Sequence, residues 1–450
     1  MNLFKTIITV MFTISILVVS NCAYEQTNGN QDSIYEYDGT IRNVSRGSSN
    51  YSSRFYNAIV YNDELFFSGD KISADENADK HIIYKFDGNS IKNLNKGTSD
   101  YQNYFWSAIV YKDKLYFCGT DSKKSNFYSR WFECHDDEIF NAVYVNDSDY
   151  HSKFEGPVVH NDYLYFIGIN SESTHSLYRF DGTTVIKVYE NIHGLINGTE
   201  FNGKLYFEAF SVEGEVVRYK LYQIDGTAVT LVDTTESGQF NYFRNPIISK
   251  GILYFKGEDS DSHFYIYALG LDGEVTKLNT VDSDYRSGFE VPVIYNDELY
   301  FIGYSLTDYP ALFSYDGENL VEHTKDAGIS MDFFDSPVVF NNKIYMSGYA
   351  ISNENSESVS KPGIYTFDGS SFNVVNVGTS KYKSNILHTI VYSDRLYFQG
   401  DGEKVMDDFY MIDKDDTIKV VNKGSSGYSR TFTQPFIFNE KLYFQGTIRY

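Results

Sequence analysis

Val293-Ile-Tyr-Asn-Asp-Glu-Leu-Tyr-Phe301 decides the fold because it recurs, as Val338-Val-Phe-Asn-Asn-Lys-Ile-Tyr-Met346 and Phe436-Ile-Phe-Asn-Glu-Lys-Leu-Tyr-Phe444. Apolar residues alternate with others on either side of a two-residue polar turn, the pattern of a β-hairpin. Asn, Asp and Gly accept the positive φ that such turns require. Ala58 to Phe67 and Asn202 to Phe207 repeat the unit, which occurs nine times. Its two strands are designated A and B. A second hairpin, of strands C and D, is read from Leu177-Tyr-Arg-Phe-Asp-Gly-Thr-Thr-Val185 and Leu221-Tyr-Gln-Ile-Asp-Gly-Thr-Ala-Val229. Its Asp-Gly pairs begin at Asp38, Asp87, Asp181, Asp225, Asp272, Asp316 and Asp368, with degenerate versions at Asp136 and Asp413, at intervals of 44 to 52 residues. That period predicts a propeller or solenoid of four-stranded units. No stretch carries a capped helical period, so the expected fold is all-β.

The two ends of the array are complementary. Ile34-Tyr-Glu-Tyr-Asp-Gly39 is a C-D hairpin without its A-B partner, and Leu442-Tyr-Phe-Gln-Gly446 ends an A-B hairpin without its C-D partner. Pairing them completes one blade and shuts a ring of nine four-stranded antiparallel blades, leaving no exposed sheet stack. An open or eight-bladed arrangement with one displaced repeat is the alternative. Pro157, Pro246, Pro292, Pro337 and Pro435 are read as first residues of strand A, where a missing amide proton costs nothing. Phe55, Phe105, Phe154, Phe243, Phe289, Phe334 and Phe432, three residues earlier in the frame, are expected in the core.

The Leu-Tyr-Phe-x-Gly element followed by Leu-Tyr-x-x-Asp-Gly-Thr resembles the bacterial ELWxxDGT-type repeat proteins and, more distantly, kelch propellers, over residues 34–450. Tyr stands where that repeat has Trp, and the Gly-Gly doublet of kelch blades is absent. The resemblance implies a secreted or surface β-propeller used for binding. It supplies no catalytic residue.

The first residues differ from the array. Lys5 precedes an apolar run from Ile7 to Val19, too short to span a bilayer and suited to the core of a signal peptide. Residues 1–21 are read as that peptide, 22–33 as a polar tether and 34–450 as the propeller. Val19-Ser20-Asn21-Cys22 resembles a bacterial lipobox with Asn21 in place of Gly or Ala. Cys22 is therefore the expected lipidation site, with plain secretion as the alternative. Either way the protein is expected to be exported, and lipidation would hold it at the cell surface. Removing residues 1–21 removes Lys5 and no acid, so the net charge of −23 becomes −24. Such a surface repels nucleic acid and anionic lipid, which limits expected membrane contact to the lipid anchor. Cys118 and Cys134 fall on neighbouring strands, where either a bridge or two buried thiols is consistent with the sequence.

The position after each core phenylalanine varies: Tyr56, Trp106, Glu155, Arg244, Glu290 and Asp335, with Ile196, Leu387 and Thr433 in the remaining repeats. The start of an inner strand borders the mouth of a propeller channel, so these unlike side chains are the expected ligand-binding ring, combining stacking with charge-assisted hydrogen bonds. The recurrent Ser-x-Tyr, ending at Tyr51, Tyr101, Tyr150, Tyr285, Tyr382 and Tyr428, could stack on sugars, although its repetition favours blade packing. The B-to-C segments from Gly69 to His81 and from Tyr349 to Gly363 offer a second surface. Nine histidines lack metal-ligand spacing, and Cys-x-x-Cys, nucleophile-elbow and phosphate-loop motifs are missing. No metal, no cofactor and no catalysis are therefore expected. The resulting expectation is a monomeric surface protein that binds an extracellular protein or glycan. The alternative is an extracellular carbohydrate-active enzyme using carboxylates of Glu155, Glu290 and Asp335 at the channel mouth.

Overall fold

The computed structural model describes residues 32–44, 49, 51–71, 81–94, 104–120, 129–135, 139–143, 150–213, 216–232, 241–259, 263–278, 284–306, 309–325, 327–331, 337–352, 359–403, 407–421, 423 and 428–448. All the regular structure among them is β. It forms nine antiparallel sheets, the number of blades expected. The third blade is representative: strands Tyr150–His160, Tyr163–Asn170, His175–Phe180 and Val185–Glu190 pair in the order A-B-C-D. Blades one to eight span residues 51–93, 106–142, 150–190, 193–231, 241–277, 285–322, 329–374 and 382–420. In blade seven the inner strand comes in two pieces, Ile329–Met331 and Val338–Phe340.

The ninth blade joins the two ends of the chain. Asp32–Tyr37 pairs with Lys441–Ile448, setting Tyr35 opposite Phe444 and Glu36 opposite Tyr443. The Tyr35 and Phe444 rings stack with centroids 5.6 Å apart. The strand starts at Asp32, so the last two residues of the expected tether belong to the sheet. Nine hydrophobic clusters lie between successive blades. One joins Phe438 and Tyr443 of the ninth blade to Phe55 and Tyr84 of the first, and another joins Tyr397 and Phe409 of the eighth to Tyr37 and Phe432 of the ninth. Each sheet is thus apolar on both faces and buries both against neighbours, which only a closed ring allows for all nine.

Local chemistry explains the hairpins. At the A-B turns both central residues are left-handed, with φ of 48° and 58° at Asn62 and Asp63 and 50° and 63° at Asn296 and Asp297. These are the primed turns whose twist matches the flanking strands. The prolines require a correction. Pro157 lies within Tyr150–His160, not at its start, because pairing with strand B extends the inner strand toward its N-terminus. The register moves from Glu155 opposite Ile167 to Val158 opposite Tyr165, so Gly156 and Pro157 together face Phe166 alone. Such a bulge accommodates proline without losing a ladder bond. The same step surrounds Pro246, Pro292 and Pro435, whereas Pro337 does directly precede its strand.

The residue entering each bulge is left-handed. Asn57, Asn197 and Asn245 fill this place at φ of 53°, 56° and 52°. Their side-chain amides donate to the carbonyls of Phe105, Phe243 and Phe289 in the next blade, each at 2.8 Å. Val291 occupies the same place at φ 47°. A β-branched residue in that region is strained by roughly 1–3 kcal/mol. Val291→Asn should therefore stabilise the ring by about 1 kcal/mol, read as a higher urea midpoint at unchanged slope. A midpoint equal to or below the parent's would show that the strain is not there.

Cys118 and Cys134 are buried and are not joined by a disulfide. Cys118 lies in the core between blades two and three, Cys134 in that between blades one and two, so they leave the sheet on opposite faces.

Candidate functional site

Strand A begins where strand B ends, strand C begins and strand D ends, so one end of every blade carries the B-C and D-A connections. The expected ring residues do not all lie at the start of the inner strand: Tyr56, Glu155 and Glu290 fall at the middle of Tyr51–Tyr61, Tyr150–His160 and Tyr285–Tyr295, because pairing with strand B extends strand A toward its N-terminus, whereas Trp106 begins Trp106–Tyr111. Tyr56, Trp106, Glu155, Arg244 and Glu290 hold one register place, opposite Ser68, Cys118, Ile167, Lys256 and Ile302 of strand B. Asp335 and Cys22 lie outside the described residues. The Trp106 ring sits 4.9 Å from that of Tyr104, and Glu155 pairs with Lys153 at 3.1 Å. Arg244 lies over Tyr242, its guanidinium carbon 4.4 Å from the ring centre. Glu290 pairs with Lys256 and accepts a hydrogen bond from the Asn245 amide at 3.0 Å. Lys256 is the cross-strand partner of Arg244, so Arg244 and Glu290 fall into one cluster. Tyr56, Trp106 and Glu155 belong to blades one, two and three.

A second feature reaches that cluster from the other side. His175, His193, Phe210, Tyr219, Tyr242 and Phe264 form a continuous run of rings from blade three to blade five. Successive centroids are 4.1, 5.0, 5.2, 4.7 and 6.0 Å apart, and the His193–Phe210 and Tyr219–Tyr242 pairs are stacked. All six side chains are half-buried. Arg244 covers Tyr242, and the Lys256 ammonium lies 4.4 Å from the centre of Phe264. Within blade four, His193, Phe210 and Tyr219 are direct cross-strand neighbours on three strands. Burial, and then the neighbouring His193, push the His175 imidazole down to about 4. Burial likewise lowers His193. The pair is therefore neutral at physiological pH, and the strip's positive charge comes from Arg244 and Lys256.

The sequence frame did not reveal this strip. Its rings come from the starts of strands A and C and the end of strand B, so no single repeat position displays it. Four of the Ser-x-Tyr tyrosines, by contrast, serve packing, and Tyr101 lies outside the described residues. Tyr150, Tyr285, Tyr382 and Tyr428 donate through their hydroxyls to the carbonyls of Lys153, Gly288, Asn385 and Thr431, at 2.5, 2.5, 2.8 and 2.7 Å. Each acceptor is the first left-handed residue of its inner strand. Of the expected B-C surfaces, strands take up residues as far as Lys71 and Ser352 and resume at His81 and Val359.

Beneath Arg244 lies Glu208, fully buried opposite Ile196. Its Oε2 accepts the Phe243 amide at 2.6 Å, as the Gln399 carbonyl accepts the Phe432 amide at 2.9 Å in blade eight. The role is structural, and a neutral amide fills it equally well. Burial pushes the Glu208 carboxyl above its ordinary 4.5, outweighing the Phe243 hydrogen bond and the Arg244 charge. The folded state therefore holds this proton more tightly than the unfolded chain. The site's contribution is full below pH 4.5 and declines as pH rises through the raised value. Glu208→Gln should gain stability over the parent on going from pH 4 to pH 8. An equal difference in melting temperature at both pH values would refute it.

Among the described residues, no group of three or more His, Cys, Asp or Glu side chains is placed to hold a metal ion. No family model and no curated protein matches the chain. Solved structures similar to it include a puromycin-hydrolyzing peptidase of Mycobacterium tuberculosis, at 10% identity and a TM-score of 0.36, covering 81% of this chain and 60% of that one. Another is the β-propeller domain of the Trilobed protease from Pyrococcus furiosus, at 12% identity and a TM-score of 0.36, covering 73% of this chain and 96% of that one. This chain thus spans 60% of the length of the first. The expectation of a non-enzyme is overturned by these neighbours, a peptidase and a protease domain, and is withdrawn. At such identities the likeness concerns the fold and transfers no catalytic residue. The nine sheets and nine interblade cores define a nine-bladed β-propeller, a fold that fits a binding or scaffold role.

Proposed function

We propose that this protein is exported, held at the cell surface by a lipid on Cys22, and binds a protein partner through the strip of rings on blades three to five. The observation that carries the reading is the continuity of six half-buried rings across three blades, with an exposed arginine over the fifth. Tyrosine and arginine dominate the energetics of protein interfaces. The face of Tyr242 is already filled by Tyr219 and Arg244. What remains for a partner is a row of ring edges, hydroxyls and a guanidinium, suited to polar and edge contacts more than to a sugar lying flat. Rings locked against one another lose little further freedom on binding, which lowers the cost of association. The apolar run to Val19, the Cys22 sequence and the resemblance to ELWxxDGT-type repeats support the surface location.

A photo-crosslinking phenylalanine at Phe264, in cells that make the protein, should give one discrete adduct that Tyr242→Ala abolishes. The same group at Asn296, on the opposite turn face, should give none. Adducts of equal yield from both positions, or an adduct indifferent to Tyr242→Ala, would overturn the reading. Palmitate incorporation lost in Cys22→Ala tests the anchor separately.

A further inference from the structure

The same face carries a cleft of about 240 Å³ between blades six and seven, remote in sequence from the ring strip. Leu306 and Tyr309 form its apolar side and are 62% and 57% exposed. Asp284, Glu322, Thr324 and Lys325 supply the polar side. The Lys325 ammonium lies 2.7 Å from the Asp284 carboxylate, and Thr324 donates to Glu322 at 3.4 Å. The Leu306 amide donates to the Asp284 carbonyl at 2.8 Å, which fixes the apolar side against the charged one.

We propose that this cleft binds a single uncharged sugar unit. Three properties select that chemistry. An aromatic and an aliphatic side chain set against a row of hydrogen-bonding groups suits a ligand that is apolar on one face and hydroxylated at its rim. Carboxylates accept from hydroxyls while the ammonium donates to them, so neighbouring hydroxyls find both kinds of partner within one row. Two carboxylates against one ammonium leave the cleft negative, in a protein of net charge −23, which turns away phosphates and acidic sugars. The volume lies below the roughly 300–1,000 Å³ of drug-sized sites, the scale of one ring and not of an extended chain.

The unit could arrive as a free monosaccharide or as the end of a glycan, and the probes separate the two. Saturation-transfer NMR would use glucose, galactose, mannose and N-acetylglucosamine, each alone and as the terminal unit of a disaccharide. At least one should receive saturation, and Tyr309→Ala or Lys325→Met should weaken its binding tenfold or more. Tyr309 is largely exposed, so its truncation leaves the blade folded, which an unchanged melting temperature would verify. Tyr242→Ala, in the ring strip, should have no effect. Transfer to the disaccharides alone would assign the site to glycan ends, and transfer to both would assign it to the shared sugar unit. No transfer to any probe, or equal affinity in the parent and both cleft variants, would overturn the proposal.

Discussion

A chain that begins at residue 44 should fail to form a soluble ring. The missing hairpin, Asp32–Tyr37 and Ile41–Asn43, supplies the outer half of the ninth blade. Ile34, Tyr35, Tyr37 and Ile41 are 1%, 0%, 5% and 2% exposed, and they feed the cores on both sides of that blade. Burying a large apolar side chain contributes about 1.5–3 kcal/mol. Losing four of them removes roughly 6–12 kcal/mol, comparable to the 5–15 kcal/mol that holds an entire domain folded. The deletion also leaves Lys441–Ile448 as an unpaired edge ready to pair with another chain. Thermal melts should lose their cooperative transition, and size-exclusion profiles should move to aggregates. A monomer melting with the parent would mean that the ends are dispensable.

Gly446→Ala should be among the most damaging single methyl additions in the protein. A Cβ there would meet the Tyr428 ring at 2.7 and 3.0 Å and the Thr431 carbonyl oxygen at 3.1 Å. The ring cannot retreat, because its hydroxyl is tied to that same carbonyl and its face packs edge-on with Tyr35 and Phe444. Overpacking of this kind costs about 1–3 kcal/mol, and involvement of a backbone oxygen places it at the upper end. Gly400 faces Tyr382 in the same way, with a Cβ contact of 2.8 Å. Gly363 is the control, since nothing would approach its Cβ closer than 3.7 Å. Urea midpoints should fall clearly for Gly446→Ala and Gly400→Ala and stay near the parent's for Gly363→Ala. Equal effects at all three would remove the ring-on-glycine explanation of the Leu-Tyr-Phe-x-Gly element.

Hairpins were legible because their determinants are local: alternation, Asn-Asp turns, and an Asp whose carboxylate caps its own turn. In Asp181 the amide of Thr184, then the hydroxyl and amide of Thr183, hold the carboxyl at about 2. Closure was legible because the array begins and ends with complementary half-blades. The bulge was not, because extension of Tyr150–His160 past Pro157 depends on pairing with Tyr163–Asn170 and not on any local pattern. For the same reason Tyr56, Trp106, Glu155, Arg244 and Glu290 share one register place, yet their contacts were invisible. Glu290 pairs with Lys256 of the preceding blade, a contact between repeats that no single repeat can display. The strip from His175 to Phe264 escaped for a related reason, being assembled from three different places in the repeat. The separation of the cysteines follows from strand register alone: Cys118 faces Trp131 and Cys134 faces Leu115, three places apart, which puts them on opposite faces of the sheet.

Closure of the ring underlies the two-sided burial of every blade and the placement of both candidate surfaces on one face. Hydrogen exchange of the intact protein, followed by mass spectrometry on the peptide covering Asp32–Tyr37, tests it most directly. Those amides should exchange as slowly as the ones in Arg395–Gly402 at the heart of blade eight, and should open only with global unfolding. Complete exchange within seconds, as in a free tail, would contradict a closed nine-bladed ring.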